Sequence, residues 1–546
     1  MSLPLDEIER EQEKRGREVQ RLMLQAHIQA RGVGDVGPAI EVLQSDGKVI
    51  QLGNRREHEC SQKTIFGEVE VNRLGYSRAE MPSVHPLDKD LALPEDSYSY
   101  ELHRRLVKAA VQGPFDEGIE RVEESTGVVV PKRSAEEMVK EAAIDFGVFY
   151  AQRVPAAPEA TGPIVAGAVD GKGIPMVKPE DAEHPVRRTK GKKANKKRMA
   201  TVATVYTMQP RVRTPEEVVE SLFWPDLKRQ EEEKKAPRPK PESKRVWASL
   251  KDGKDKVITG VREEMARRDP RGEKKHVVLT DGERALQIRV TKLLGPKVLL
   301  ILDLLHVLEK LWKAAYVFHR EGSEEAQNWV FQRAYRILSG EVSQVVKGIR
   351  QTVTKRNLRG ESRKTLLAVG RYFYRNRSRM RYNEYLAQGF PIASGAVEGA
   401  CKNLVKDRME RSGMRWTEDS AEAMLKLRAT YLSGDFEEYW RFHVKQDQER
   451  LHPAAAWLKN SHAQFVTGFS APQEPRDSSF FQLRGPHKAV DPGVYTNPQA
   501  IMDHREQQHE RETHRRLERN KSDILSSPSK HCEERSRPPM ANRGVR

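Results

Sequence analysis

Three carboxylates carry the chemistry that this sequence can be read for: Asp170, Asp281 and Glu398. Asp170 closes the apolar run PIVAGAVD and Asp281 closes HVVLTD, and each is followed at once by glycine. Such runs predict β-strands, and a carboxylate at the end of each would lie at the C-terminal edge of a sheet, where ligand sites of α/β proteins collect. Glu398 falls in the first turn of a helix that Ser394 would cap, beside an apolar face formed by Val397, Cys401, Leu404 and Val405. Gly395 and Gly399 would let that helix approach a neighbour closely. Hard carboxylate oxygens suit Mg²⁺ or Mn²⁺, and two such ions a few ångströms apart assist in-line displacement at phosphorus. Separations of 111 and 117 residues say little alone, because acidic residues are common. Asp303 also ends a strand-like run, VLLILD, and is an alternative middle acid. His306 in the next helical turn would face the site or be a satisfied core histidine; Lys172 would touch a phosphate or simply be a surface lysine.

The elements that must position these residues follow from periodicity and punctuation. Residues 1–60 form a charged N-terminal segment that opens helix-like. The stretch 61–158 reads as a hairpin around Lys63 to Tyr76 followed by helices. The preceding helix ends near Thr126-Gly127, and Ser134 with Glu137 forms an S-x-x-E capping box, so the next helix is expected to start at Ala135. Two helices joined by a short turn, with Lys132 and Arg133 at the entry to the second, suit either a DNA-reading helix-turn-helix or an ordinary helical hairpin. Residues 159–318 show α/β grammar: strands at Pro163–Asp170 and Arg198–Met208, a charged and mobile insertion at 228–245, and a helix through Val246 to Met265. The strand of Asp281, the helix ERALQIRVTKLL, the strand of Asp303 and a helix opening LLHVLEKLW then alternate. An all-α insertion fills 319–389, residues 390–445 return to the core with Glu398, and 446–546 is a tail expected to be largely disordered.

Composition narrows the partner. At 546 residues the chain exceeds the roughly 250 to 300 over which one hydrophobic core grows, so several domains are expected. Lys and Arg outnumber Asp and Glu by 96 to 79, a net +17 that favours a polyanionic partner. Eight of the twelve residues from Arg187 to Arg198 are basic and none is acidic. Arg187, Arg188, Lys192, Lys193, Lys196 and Lys197 therefore make a phosphate-binding loop or a solvated one. The three cysteines, Cys60, Cys401 and Cys532, form neither a disulfide framework nor a zinc motif. The charged start Met1 to Arg17 lacks a signal-like apolar stretch and no window suits a membrane span, so a cytoplasmic location away from any membrane is expected.

The strings VDGKGIP (169–175), LTDGERAL (279–286), LDLLHVLEKLW (302–312) and SGAVEGACKNLVKDRMERSGMRW (394–416) resemble, in kind and order, those of bacterial insertion-sequence transposases of the ISKra group. The resemblance runs from about residue 60 to residue 445 and is most specific around Glu398. It implies a DDE transposase with an RNase H-like core interrupted by helices, two bound Mg²⁺ or Mn²⁺ ions, and action on the terminal inverted repeats of its own element and on target DNA. The first acid of that family falls on Asp170 and the last on Glu398; the S/T-D-G string of related Mutator-like transposases favours Asp281 as the middle one, with Asp303 as the alternative. The resemblance further implies at least two protomers on DNA and a place at the bacterial nucleoid. Arg408, Arg411 and Arg415, after Glu398, would suit DNA-backbone contacts or a solvated helix face. Two other expectations compete: a catalytically silent DNA-binding relative, and an RNase H-like nuclease that hydrolyses DNA without strand transfer.

Overall fold

The chain alternates helices and strands around a mixed sheet in a computed structural model that describes residues 3–43, 48–177, 197–224 and 239–452. Helix α1 (Leu5–Ala30) lies mostly exposed and buries Ile28, which joins Val69 and Val71 in a small core. Strands β1 (Ile40–Leu43) and β2 (Val49–Leu52) pair antiparallel. The expected hairpin is longer than its sequence signal: β3 (Asn54–Thr64) and β4 (Gly67–Ser77) pair along their whole length across Ile65 and Phe66. Charged residues on its outer face hide the alternation that a sequence window registers.

A helical layer follows, made of α2 (Pro86–Asp90), α3 (Tyr100–Gln112), α4 (Phe115–Thr126), α5 (Lys132–Ala142) and α6 (Phe146–Gln152). Gly127 terminates α4 in the left-handed region at φ 71°, where glycine carries no Cβ penalty. Helix α5 corrects the capping-box expectation, because it begins at Lys132 and no side chain caps it. Pro131 stands before its first turn, where a missing N–H costs nothing, and Ser134 lies inside the helix.

Strand β5 (Ile164–Ile174) is the middle of a five-stranded sheet whose other strands are β6 (Arg198–Met208), β7 (Glu242–Ser249), β8 (Lys275–Thr280) and β9 (Leu299–Leu302), ordered β7-β6-β5-β8-β9. β5, β6 and β7 run antiparallel in succession, whereas β5, β8 and β9 run parallel. Residues 200–207 of β6 are buried on both faces, as a sheet covered on both sides by helices requires. Before β7 comes α7 (Pro215–Phe223), closed by a true capping box from Thr214 and Glu217. The helix expected from Val246 to Met265 is a strand and a helix instead: β7 ends at Ser249, and α8 (Lys254–Arg268) starts after Gly253. The short apolar run VWAS carries no period that separates strand from helix. Part of the expected 228–245 insertion is therefore an edge strand, whose charged start keeps it from pairing further. Helices α9 (Arg284–Leu294) and α10 (Leu304–Ala315) follow β8 and β9 as expected.

The all-α stretch comprises α11 (Glu324–Leu338), α12 (Val342–Lys355), α13 (Gly360–Asn376) and α14 (Tyr382–Ala387). Helix α15 (Gly395–Ala400) then carries Glu398 and runs on through a wider π-helical turn at Cys401–Lys406. Helices α16 (Glu418–Ser433) and α17 (Phe436–Leu451) close the described chain. Residues 446–451, assigned from sequence to the tail, thus continue a helix that docks Tyr439 and Trp440 in the core. One continuous buried core joins α3, the sheet, the helices after β9 and α17. Among the described residues no helix is long and apolar enough to cross a membrane.

Candidate metal centre

Asp170 does not end its strand, as the sequence suggested. β5 continues to Ile174 because β6 accompanies it all the way, while pairing with β8 stops at Ala168 and Leu279. Asp170 therefore emerges where β8 no longer covers the strand, and Asp281 follows the last residue of β8. The two line one cavity of about 190 Å³ together with Gly171, Thr201, Lys254 and Glu283. One Asp170 oxygen accepts its neighbour Gly171 N–H at 2.6 Å, and the other accepts the Cys401 thiol at 3.3 Å. Asp281 accepts the Glu283 N–H at 2.8 Å through Oδ1. Its carbonyl accepts the Tyr372 hydroxyl of α13 at 2.7 Å. Gly282 is required at this turn twice over: φ is 85°, and a Cβ would stand 2.5 Å from the Tyr372 hydroxyl.

Asp303 is built differently. It is 1% exposed, its Oδ1 accepts Leu305 N–H at 2.9 Å to cap α10, and its Oδ2 accepts both the N–H and the hydroxyl of Ser394. Its own N–H reaches Thr280 O at 2.9 Å, and Leu304 N–H reaches Ile392 O at 2.9 Å. Asp303 thus ties β9, β8 and the approach to α15 together. Ser394, expected only as a cap, spends its hydroxyl on that carboxylate.

Glu398 stands beside Asp303 and His306 and within electrostatic reach of Asp170, but does not line the cavity of Asp170 and Asp281. Its N–H donates to Ser394 O at 2.9 Å, which starts α15. Ligand atoms of Asp303, His306 and Glu398 all lie within 4.8 Å of one another, so His306 faces this group. Burial raises the Glu398 carboxyl above the usual range, Asp303, Glu309 and Asp170 push the same way, and His306 opposes them. Carboxylates that repel one another in this manner, with few cations nearby, can hold a hard divalent ion. Cys401 is the residue that sequence reasoning missed. The sequence pattern marks it only as part of an apolar face, yet its thiol contacts Asp170 and is pushed well up by burial and by that carboxylate. Its position three residues after Glu398 was the available signal. The close approach expected of Gly395 and Gly399 is absent, since a Cβ at either would meet open space.

The basic candidates divide. Arg408 is fully buried, donates to Ala110 O at 2.7 Å and lies over Phe115 and Trp416, with burial and neighbouring Arg428 pulling its pKa down to about 9. It holds α3 to the core and is not part of a solvated helix face. Arg411, Arg415 and Arg133 are exposed. Lys132 pairs with Asp116 and Lys197 with Glu410 at 2.6 Å. Lys172 is half-buried, close enough to Cys401 to oppose the rise of its thiol. Arg187, Arg188, Lys192, Lys193 and Lys196 lie outside the described residues, as do most of the 228–245 segment and the chain beyond His452. No protein-family model matches the chain, and no curated protein matches it.

Proposed function

We propose that this chain is a DDE-class DNA transposase with an RNase H-like core, and that Asp170, Asp281 and Glu398 are its metal-binding acids. The observation that carries the reading is the convergence of Asp170 and Asp281, from neighbouring strands, on one cavity, with a third carboxylate, Glu398, delivered by α15 after an all-α interruption to within electrostatic reach of Asp170. The mixed five-stranded sheet with its parallel half at the acids fits that core. Asp281 is favoured over Asp303 because only one of its carboxylate oxygens is engaged, whereas N–H and O–H donors occupy both oxygens of Asp303.

Mg²⁺ or Mn²⁺ at these acids would polarise the scissile phosphate and favour the attacking water or 3′-hydroxyl. The chain's own groups set the geometry: Gly171 N–H and the Cys401 thiol orient Asp170, Glu283 N–H orients Asp281, and Tyr372 pins the turn behind it. His306, beside Glu398, can accept the proton that the attacking water or 3′-hydroxyl gives up. DNA bearing the element's inverted repeats should be cut by the protein in Mg²⁺, and a pre-cut end should be joined to target DNA. Undiminished cutting by Asp170→Ala protein would sink the site assignment, and hydrolysis without joining would make the protein a nuclease.

A further inference from the structure

The charge of the chain is concentrated far more than its composition suggests. Between Val342 and Arg381 stand twelve Lys and Arg against Glu361 alone, a net +11 of the whole chain's +17. Helix α12 carries no acidic residue, and its buried face of Val342, Val345, Val346, Ile349 and Val353 leaves Lys347, Arg350 and Lys355 exposed. These three, with Ser343, Thr354 and Tyr374 of α13, line an open groove of about 490 Å³. Among the described residues none of Lys347, Arg350, Lys355, Arg371, Arg375 and Arg377 makes an ion pair, whereas the cations of α1 are mostly matched by acids one turn away. Tyr374 is 47% exposed, and the guanidinium groups of Arg377 and Arg350 stand 4.1 and 5.5 Å from its ring centre. The ring orders two cations that would otherwise sample many rotamers, and cations so ordered lose less entropy on meeting phosphate.

We propose that this α12–α13 groove binds the sugar-phosphate backbone of duplex DNA. Unpaired cations along two packed helices match a polyanion in sign and extent, and their release of condensed counterions supplies the binding free energy. That the polyanion is DNA rests on the transposase reading. The groove also has a mechanical tie to the acids. Tyr372, two residues and so about 200° around the helix from Tyr374, donates to Asp281 O, and Asn376 of the same helix accepts from Gln287 of α9 at 3.0 Å. One helix therefore presents cations on its outer face and props the Asp281 turn with its inner one.

The test uses the full chain and fluorescence anisotropy on a labelled duplex over a range of salt concentrations. The triple variant Lys347→Ala, Arg350→Ala, Lys355→Ala should bind roughly ten- to a hundredfold more weakly, and its log–log salt slope should fall by about 2.7, or 0.9 for each lost phosphate contact. A control triple of ion-paired cations, Arg10→Ala, Arg15→Ala, Lys256→Ala, removes the same charge and should leave the slope near that of the parent. An unchanged slope in the groove triple, or an equal drop in the control, overturns the proposal, as does tighter binding of duplex RNA or of an acidic peptide than of DNA. An unaltered protein that binds DNA through the groove and never cuts it in Mg²⁺ defeats the transposase reading while the groove stands.

Discussion

The two ends of the five-stranded sheet treat charge in opposite ways, and α8 spans them. At its first turn Lys254 lines the cavity of Asp170 and Asp281, and within electrostatic reach of Asp170 the Glu398 carboxyl is pushed up by burial and by its acidic neighbours. At its last turn Glu264 is 4% exposed and takes Arg245, Arg267 and Arg268 at 2.5 to 2.9 Å. Burial there would raise the carboxyl, yet the arginines Arg245, Arg268 and Arg267 hold it down at about 2. Where opposite charges are matched the sheet end serves the fold. Where like charges are left together, folding gains nothing from them, and an external cation is the natural complement.

The contrast breaks most visibly at the two aspartates that follow β8 and β9. Asp281→Ala should lower metal-dependent DNA cutting at least about a thousandfold, roughly 4 kcal/mol of barrier, with an unchanged melting temperature. Asp303→Ala should instead unfold more easily by about 2–4 kcal/mol in denaturant titration, since it strands Leu305 and Ser394 donors in the core. The reverse outcome would exchange their roles.

The matched end gives the next effect. Because the folded pKa of Glu264 is depressed, its stabilisation is present above about 4.5 and is lost as pH falls through that value towards about 2. Roughly 3 kcal/mol is at stake, so Glu264→Gln should flatten acid unfolding over this window. The unmatched end should behave oppositely towards cations: Mn²⁺ at a hundred times its Kd should stabilise the protein by about 2.7 kcal/mol. A thermal shift that survives in the Asp170→Asn, Asp281→Asn double variant would place the ion elsewhere. The smallest effect belongs to Cys401. Loss of the thiol donor in Cys401→Ala should slow cutting several-fold, near 1 kcal/mol, and Cys401→Ser should restore it; equal rates for all three would leave the thiol with packing alone.

Much of this was legible beforehand. The apolar run before Asp281, the Asp303 strand with the helix beginning at Leu304, and the helices between residues 319 and 389 were readable because each buries a periodic face. Charge balance and the types of the acids were in the sequence as well. What sequence left open depended on partners distant in the chain. β5 runs past Asp170 only because β6 pairs with it to Ile174, and residues 242–249 become a strand only because β6 offers an edge. Arg408 looks like any surface arginine until α3 presents Ala110 O and two aromatic rings enclose it. Asp281 and Asp303 have the same local grammar, a carboxylate after an apolar strand, and they differ only when Ser394, 91 residues on, takes up one of them. Local periodicity records which face is buried; which oxygens remain available for a ligand is decided by groups that only the tertiary fold brings within hydrogen-bonding distance.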